Sequence, residues 1–196
     1  MTSPLIMFAT PIWHEKLDDY EMLNYQLETL IPLYNTGDNY FDIDDDAIRQ
    51  LKSKVTEKVK SAISWLEWGS VNMEIRGRQN PIFPGKGDTP HHHPTNKLVA
   101  VYYSIVPKDS GDLVMHDPRG SIIWQDPQAR TDVNWCSSRP YHKITPRPGD
   151  LILFPGYLVH SVETNISNEM RLSIVIDIYL DDELSQSVVR HYSDND

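Results

Sequence analysis

From Val71 onward the chain is broken into short runs rich in β-branched and aromatic residues: "VNMEIRGR", "KLVAVYYSIV", "DLVMH", "SIIW", "DLILFP", "LVHSV" and "RLSIVIDIYL". Pro, Gly, Asp and Asn separate them, and these are the residues that turn a chain and interrupt a strand ladder. Strands this short and this closely spaced are the pattern of an antiparallel sandwich or jelly roll. The residues before them follow a different period. In "DIDDDAIRQLKSKVTEKVKSAISWLEW", Ile48, Leu51, Val55, Val59, Ala62 and Leu66 recur at three- and four-residue steps and make one apolar stripe. Asp44, Asp45 and Asp46 stand where a helix start favours capping groups and negative charge. "EMLNYQLETLIPLY" is a weaker helical segment. The expectation is a mainly β protein whose N-terminal helices pack on one sheet.

At 196 residues the chain is long enough for one domain with a sizeable core. No repeat or low-complexity linker divides it, so it reads as a single domain over 1–196, with helical support at about 18–67 and a jelly-roll core at about 71–181. The net charge of −10 argues against a nucleic-acid partner. The single cysteine, Cys136, excludes an internal disulfide and a thiolate zinc cluster. The opening "MTSPLIMFATPIW" has no basic region before a short, broken apolar stretch, so neither signal peptide nor membrane anchor is expected. The final "SVVRHYSDND" reads as a polar tail with a frayed end. These features together point to a soluble cytoplasmic protein and leave a homodimer open.

The chemistry concentrates in "GDTPHHHPTNKLVAVYY", where a Gly-Asp-Thr-Pro turn leads into consecutive histidines. In an extended chain, residues i and i+2 share a face. His91 and His93 then project together while His92 points away, and Pro94 keeps the preceding residue out of the helical region. Two imidazoles on one face can grip a divalent transition metal. A third ligand has to come from elsewhere. His160 in "PGDLILFPGYLVHSVETN" is the best candidate, since it opens another strand after the Pro155-Gly156 turn. His14, His142 and His191 lie in polar surroundings and read as surface residues. Asp117, beside His116 in "LVMHDPRG", is an alternative carboxylate ligand, because a facial metal site often includes one. The simpler reading of Asp117-Pro118-Arg119 is a turn with a local ion pair. In "RLSIVIDI", strand alternation puts Arg171, Ser173 and Val175 on one face, either inward or as a strand-end cation paired with Glu169 or Asp177.

The stretch from His91 to Leu180 resembles the double-stranded β-helix of the 2-oxoglutarate- and Fe(II)-dependent oxygenases. More narrowly, "FATPIW", "HHHP", "VYYSIVPKDSGDLVMHDPRG", "PRPGDLILFPGYLVHSV" and "MRLSIVIDI" resemble a subfamily of small 2OG-Fe(II) oxygenases of bacteria and bacteriophages. For a phage-encoded member, the compartment would be the host cytoplasm. The chain is similar, more distantly, to prolyl hydroxylases.

The resemblance implies an oxidoreductase, a dioxygenase using Fe(II), 2-oxoglutarate and O₂. It would hydroxylate a peptide or protein side chain or a small molecule while 2-oxoglutarate leaves as succinate and CO₂. His91 falls at the first metal position and His160 at the last. Arg171 matches the arginine that binds the distal carboxylate of 2-oxoglutarate, Ser173 completes an Arg-x-Ser pattern, and Tyr103 matches a tyrosine that bonds the same carboxylate. At residue 93 the usual aspartate is a histidine, so the third ligand is either His93 or a carboxylate such as Asp117. The segment "GSIIWQDPQARTDVNWCSSRPYHK" would be a lid or substrate loop, with Trp124, Trp135 and Tyr141 as gripping or packing groups. H-x-H with a late histidine also resembles cupins, in which Lys97 would stand near the place of the usual glutamate. That reading gives a metal protein without the 2-oxoglutarate clamp. A third reading keeps the fold as a non-catalytic scaffold.

Overall fold

The computed structural model describes residues 9–30, 39–69, 71–119 and 141–181. Among the described residues there are two α-helices, α1 (Tyr20–Glu28) and α2 (Asp46–Trp65), with a short 3-10 helix (Tyr40–Asp42) between them. Helix α2 starts where the Asp45 carboxylate accepts the free backbone N–H groups of Ala47 and Ile48, as an N-cap should. Its apolar stripe is buried from Ala47 to Ile63.

The described strands form two antiparallel sheets. In chain order they are β1 (Trp13–Lys16), β2 (Asn72–Ile82), β3 (Asp88–His91), β4 (Leu98–Ile105), β5 (Leu113–His116), β6 (Tyr141–Ile144), β7 (Asp150–Pro155), β8 (His160–Val162) and β9 (Arg171–Asp181). The major sheet runs β1-β7-β4-β9-β2 and the minor sheet β3-β8-β5-β6. This is the expected jelly roll.

The period-2 alternation of β4 shows how the layers are built. Leu98, Ala100 and Tyr102 face the helices and join Leu23, Leu27, Leu51, Val55 and Val59 in one core. Val99, Val101 and Tyr103 face the minor sheet and join Leu113, Met115, Phe154 and Val175 in a second. Both faces of the major sheet are therefore covered, which is why β4, β7 and β9 read as nearly continuous apolar runs. Tyr102 donates to Asn24 Oδ1 at 2.5 Å, and Asn24 Nδ2 donates to the Ser104 carbonyl at 2.9 Å. This satisfied polar bridge ties α1 to β4 beneath the apolar layer.

Three features differ from the sequence reading. Asp88–Thr89–Pro90, expected as a turn, is strand β3, paired with β8 across a register shift. Strand β6 begins at Tyr141, inside the segment expected to be a loop. Strand β1 pairs with β7 from Trp13 to Lys16. The "SIIW" strand, most of the expected lid with Trp124, Trp135 and Cys136, and the tail with His191 lie outside the described residues.

Candidate metal centre and cosubstrate pocket

Pairing of β3 with β8 sets His91 directly opposite His160. His93 lies two residues past the end of β3, where its backbone N–H donates to the Gly156 carbonyl at 2.8 Å. That contact depends on glycine. A Cβ at position 156 would meet the Asn96 carbonyl oxygen at 2.1 Å, so only a residue without one lets the two loops close. The result is three imidazoles whose ligand atoms lie within 4.8 Å of one another. His92 is exposed.

Each ring is anchored at Nδ1. His91 Nδ1 donates to the Thr89 carbonyl at 2.8 Å and His160 Nδ1 to the Leu158 carbonyl at 2.9 Å. A carbonyl only accepts, so Nδ1 carries the proton in both rings and Nε2 is left as a lone-pair donor. His93 Nδ1 lies 2.9 Å from Asp177 Oδ1, and its Nε2 is buried without a hydrogen-bond partner. Burial pushes the His160 pKa down to about 4, against a smaller upward effect of its bond to Leu158. The ring is therefore neutral near pH 7, the form that binds a metal. An imidazole cluster with every Nδ1 tied and Nε2 converging suits Fe(II) among the divalent transition metals.

Behind the histidines lies a cavity of about 210 Å³, lined by Tyr103, Arg171, Ser173, Val101, Leu113 and Val175 among others. It is smaller than the roughly 300–1,000 Å³ typical of drug-sized ligands, which suits a compact molecule. Arg171 begins β9 and is 1% exposed. Its Nη1 donates to the Gly111 carbonyl at 2.6 Å. Gly111 has φ +92°, and a Cβ there would meet the Glu163 carbonyl oxygen at 2.3 Å, so glycine is required to present that carbonyl.

Among the described residues no carboxylate pairs with Arg171: of the two partners considered for a strand-end cation, Glu169 makes no ion pair with it and Asp177 is bonded to His93, Asn96 and Arg78. Arg171 Nε is buried and unpartnered, as is the Tyr103 hydroxyl. The guanidinium carbon sits 5.0 Å from the Tyr103 ring centroid. Burial raises the Tyr103 pKa to about 12 although the nearby guanidinium opposes it, so the phenol keeps its proton and remains a donor. A buried cation without a counter-ion costs several kcal/mol. The unpartnered Nε of that cation and the Tyr103 hydroxyl beside it face a cavity that also holds the histidines, an arrangement with the donors a small anion needs.

Asp117 does not join the histidine cluster. It takes Arg119 Nε at 2.9 Å and Nη2 at 2.5 Å, and that guanidinium holds its carboxyl below the usual carboxylate range. Lys97 is exposed and is absent from the cavity lining. Sequence reading missed Asn96, Arg78, Asn80 and Asp88, and considered Asp177 only as a partner for Arg171, not for His93. Of these, Arg78, Asn80 and Asp88 line the cavity, and Asn80 donates to Asp88 at 3.0 Å. One signal for Asp177 was available: it is the lone charge inside the apolar run "LSIVIDIYL".

Residues 80–177 match the family described as "Putative 2OG-Fe(II) oxygenase". No curated protein sequence matches the chain. Solved structures do. A prolyl-4-hydroxylase from Pseudomonas putida superposes with a TM-score of 0.62 at 15% identity, covering 87% of this chain and 88% of that one. The non-heme alpha-ketoglutarate-dependent epimerase SnoN of nogalamycin biosynthesis gives 0.59 at 19% identity, covering 87% and 76%. The viral collagen prolyl hydroxylase of Paramecium bursaria Chlorella virus-1 gives 0.54 at 14%, covering 84% and 89%. At these identities the likeness is one of fold, the double-stranded β-helix.

Proposed function

Because this chain belongs to the 2OG-Fe(II) oxygenase family, and is thereby an oxidoreductase, we propose that His91, His93 and His160 hold Fe(II) and that Arg171, Tyr103 and Ser173 bind 2-oxoglutarate. The observation that carries this reading is the buried Arg171, which meets no carboxylate among the described residues and leaves Nε unpartnered, beside the unpartnered Tyr103 hydroxyl. A cupin-type centre has no use for such a cation. When bound, the iron supplies the chemistry by which O₂ and 2-oxoglutarate become succinate, CO₂ and an oxidant able to hydroxylate a C–H bond.

The protein's own residues do the rest. The Nδ1 anchors fix ring orientation, so Nε2 lone pairs converge without reorganisation. Arg171 offers a planar, charge-assisted contact that a carboxylate matches. Val101, Leu113, Val162 and Val175 line the cavity with apolar surface and limit water there.

Hydroxylation of a peptide side chain or a small molecule is the reading favoured for the substrate, supported by the prolyl-hydroxylase architecture. The chain's charge of −10 repels a polyanionic substrate. Among the described residues no helix is long and apolar enough to cross a membrane. We read the whole chain as one oxygenase domain of the small bacterial and bacteriophage branch, working in the cytoplasm. The test is succinate release from 2-oxoglutarate under air. It should require added Fe(II), stop with a chelator, and fall in Arg171→Leu. Succinate release that survives both the chelator and Arg171→Leu would contradict the reading.

A further inference from the structure

The three histidines differ in what stands behind them. His91 and His160 lean on neutral backbone carbonyls, those of Thr89 and Leu158. His93 leans on a carboxylate, Asp177 Oδ1, at 2.9 Å. Asp177 occupies the middle of β9, between buried Ile176 and Ile178 and opposite Val99 of β4. An acid in that position loses solvation, and its side chain retains 18% exposure.

The same oxygen accepts from Asn96 Nδ2 at 2.5 Å, and Oδ2 accepts from Arg78 Nη1 at 3.0 Å. Asn96 Nδ2 also comes within 3.4 Å of His93 Nδ1, a consequence of two donors sharing one acceptor rather than a bond between them. Asp177 Oδ1 is thus shared by His93 and Asn96 at one edge of the His93 ring, while the opposite edge, Nε2, is buried and free.

We propose that Asp177 is the anionic member of this metal centre, acting through His93 rather than on the metal. The proposal rests on His93 being a ligand. A site of three neutral imidazoles leaves the full double positive charge on the ion. A carboxylate accepting the Nδ1–H fixes the ring with Nε2 toward the metal and places a negative charge one ring away from it. Asp177 is a positioning residue in this arrangement. Arg78, on the far oxygen and half exposed, draws some of that charge away and so sets how much reaches the ring.

The alternative is that Arg78, Asp177 and Asn96 form only a structural network pinning the loop after β3. The two roles predict different signs. If charge is what matters, Asp177→Asn, which keeps the size and an acceptor oxygen, weakens Co(II) binding by roughly ten- to a hundred-fold. Arg78→Gln, which frees the carboxylate, tightens it by roughly two- to five-fold, the range of an exposed ion pair. If the network only holds the loop, both variants weaken binding together.

Co(II) dissociation constants are measured by chelator competition on the full chain, with the visible ligand-field spectrum as a second readout. Charge withdrawal from His93 should shift that spectrum in Asp177→Asn without changing the number of ligands. His93→Ala is the control for the ligand assignment: wild-type affinity in that variant removes the ligand and the proposal with it. Loss of Co(II) in His93→Ala, together with Arg78→Gln weaker than or equal to wild type, overturns the role of Asp177 alone. Because Arg78 is half exposed, that arm stands even if Asp177→Asn does not fold.

Discussion

Single side chains carry most of the chemistry, and each has a test at that scale. His91→Ala or His160→Ala should abolish stoichiometric Fe(II) binding, measured on anaerobically loaded protein. His92→Ala should leave it intact, since that ring is exposed while its neighbours converge with His160. Iron lost on His92→Ala alone would mean that the strand faces are assigned wrongly. Arg171→Leu should weaken 2-oxoglutarate binding by about 1.5–3 kcal/mol, roughly ten- to a hundred-fold, with Fe(II) affinity little changed.

Tyr103 carries a pH signature of its own. Its folded pKa of about 12 lies above the model-peptide value of 10.0 because it is buried. Burial raises Tyr102 likewise. The unfolded chain therefore gains tyrosinate charge first. Stability from these groups is complete below pH 10 and falls as pH rises through about 12. In a spectrophotometric alkaline titration, these two of the ten tyrosines should ionise only as the protein unfolds, and Tyr103→Phe should lessen the alkaline loss. Ionisation of every tyrosine near pH 10 with the fold intact would contradict their burial.

At the scale of elements, the site is an effect of register. His91 meets His160 because β3 pairs with β8, and His93 is held because Gly156 lets two loops touch. Gly156→Ala should cost about 1–3 kcal/mol of stability through overpacking. It should also lower Fe(II) affinity although no ligand is altered; unchanged affinity in that variant would show that His93 does not depend on this contact. Sequence pattern made the large elements legible: α2 through its apolar stripe and cap, and β4, β7 and β9 through apolar runs that need two covered faces. Among the short strands, β5 and β8 showed as apolar runs, but β1, β3 and β6 did not: none of the three has a buried residue, so no apolar run marks them, and the Pro in β3 argues locally for a turn. The H-x-H spacing and the late histidine could be read because histidines are rare in this chain and i, i+2 neighbours share a face in an extended segment, although His93 itself lies past the end of β3. Asp177 could not be assigned to His93, because that contact joins residues 84 apart in sequence.

Over the whole molecule, two cores divide the labour. One, between the helices and the major sheet, stabilises the fold; the other, between the sheets, carries the cavity on its rim. Leu51 is fully buried in the first. Leu51→Ala should cost about 2–5 kcal/mol by cavity formation, seen as a lower unfolding midpoint. Cosubstrate affinity measured well below that midpoint should not change, and a large change there would show that the two cores are not separable.

The most direct test of the metal and cosubstrate assignment is anaerobic titration of the Fe(II)-loaded protein with 2-oxoglutarate, watching for the visible charge-transfer band of the chelate. The band should grow to one equivalent in wild type, need roughly ten- to a hundred-fold more 2-oxoglutarate in Arg171→Leu, and be absent in His160→Ala. A wild-type protein that binds one Fe(II) at the three histidines yet develops no band, at any 2-oxoglutarate concentration, would contradict it.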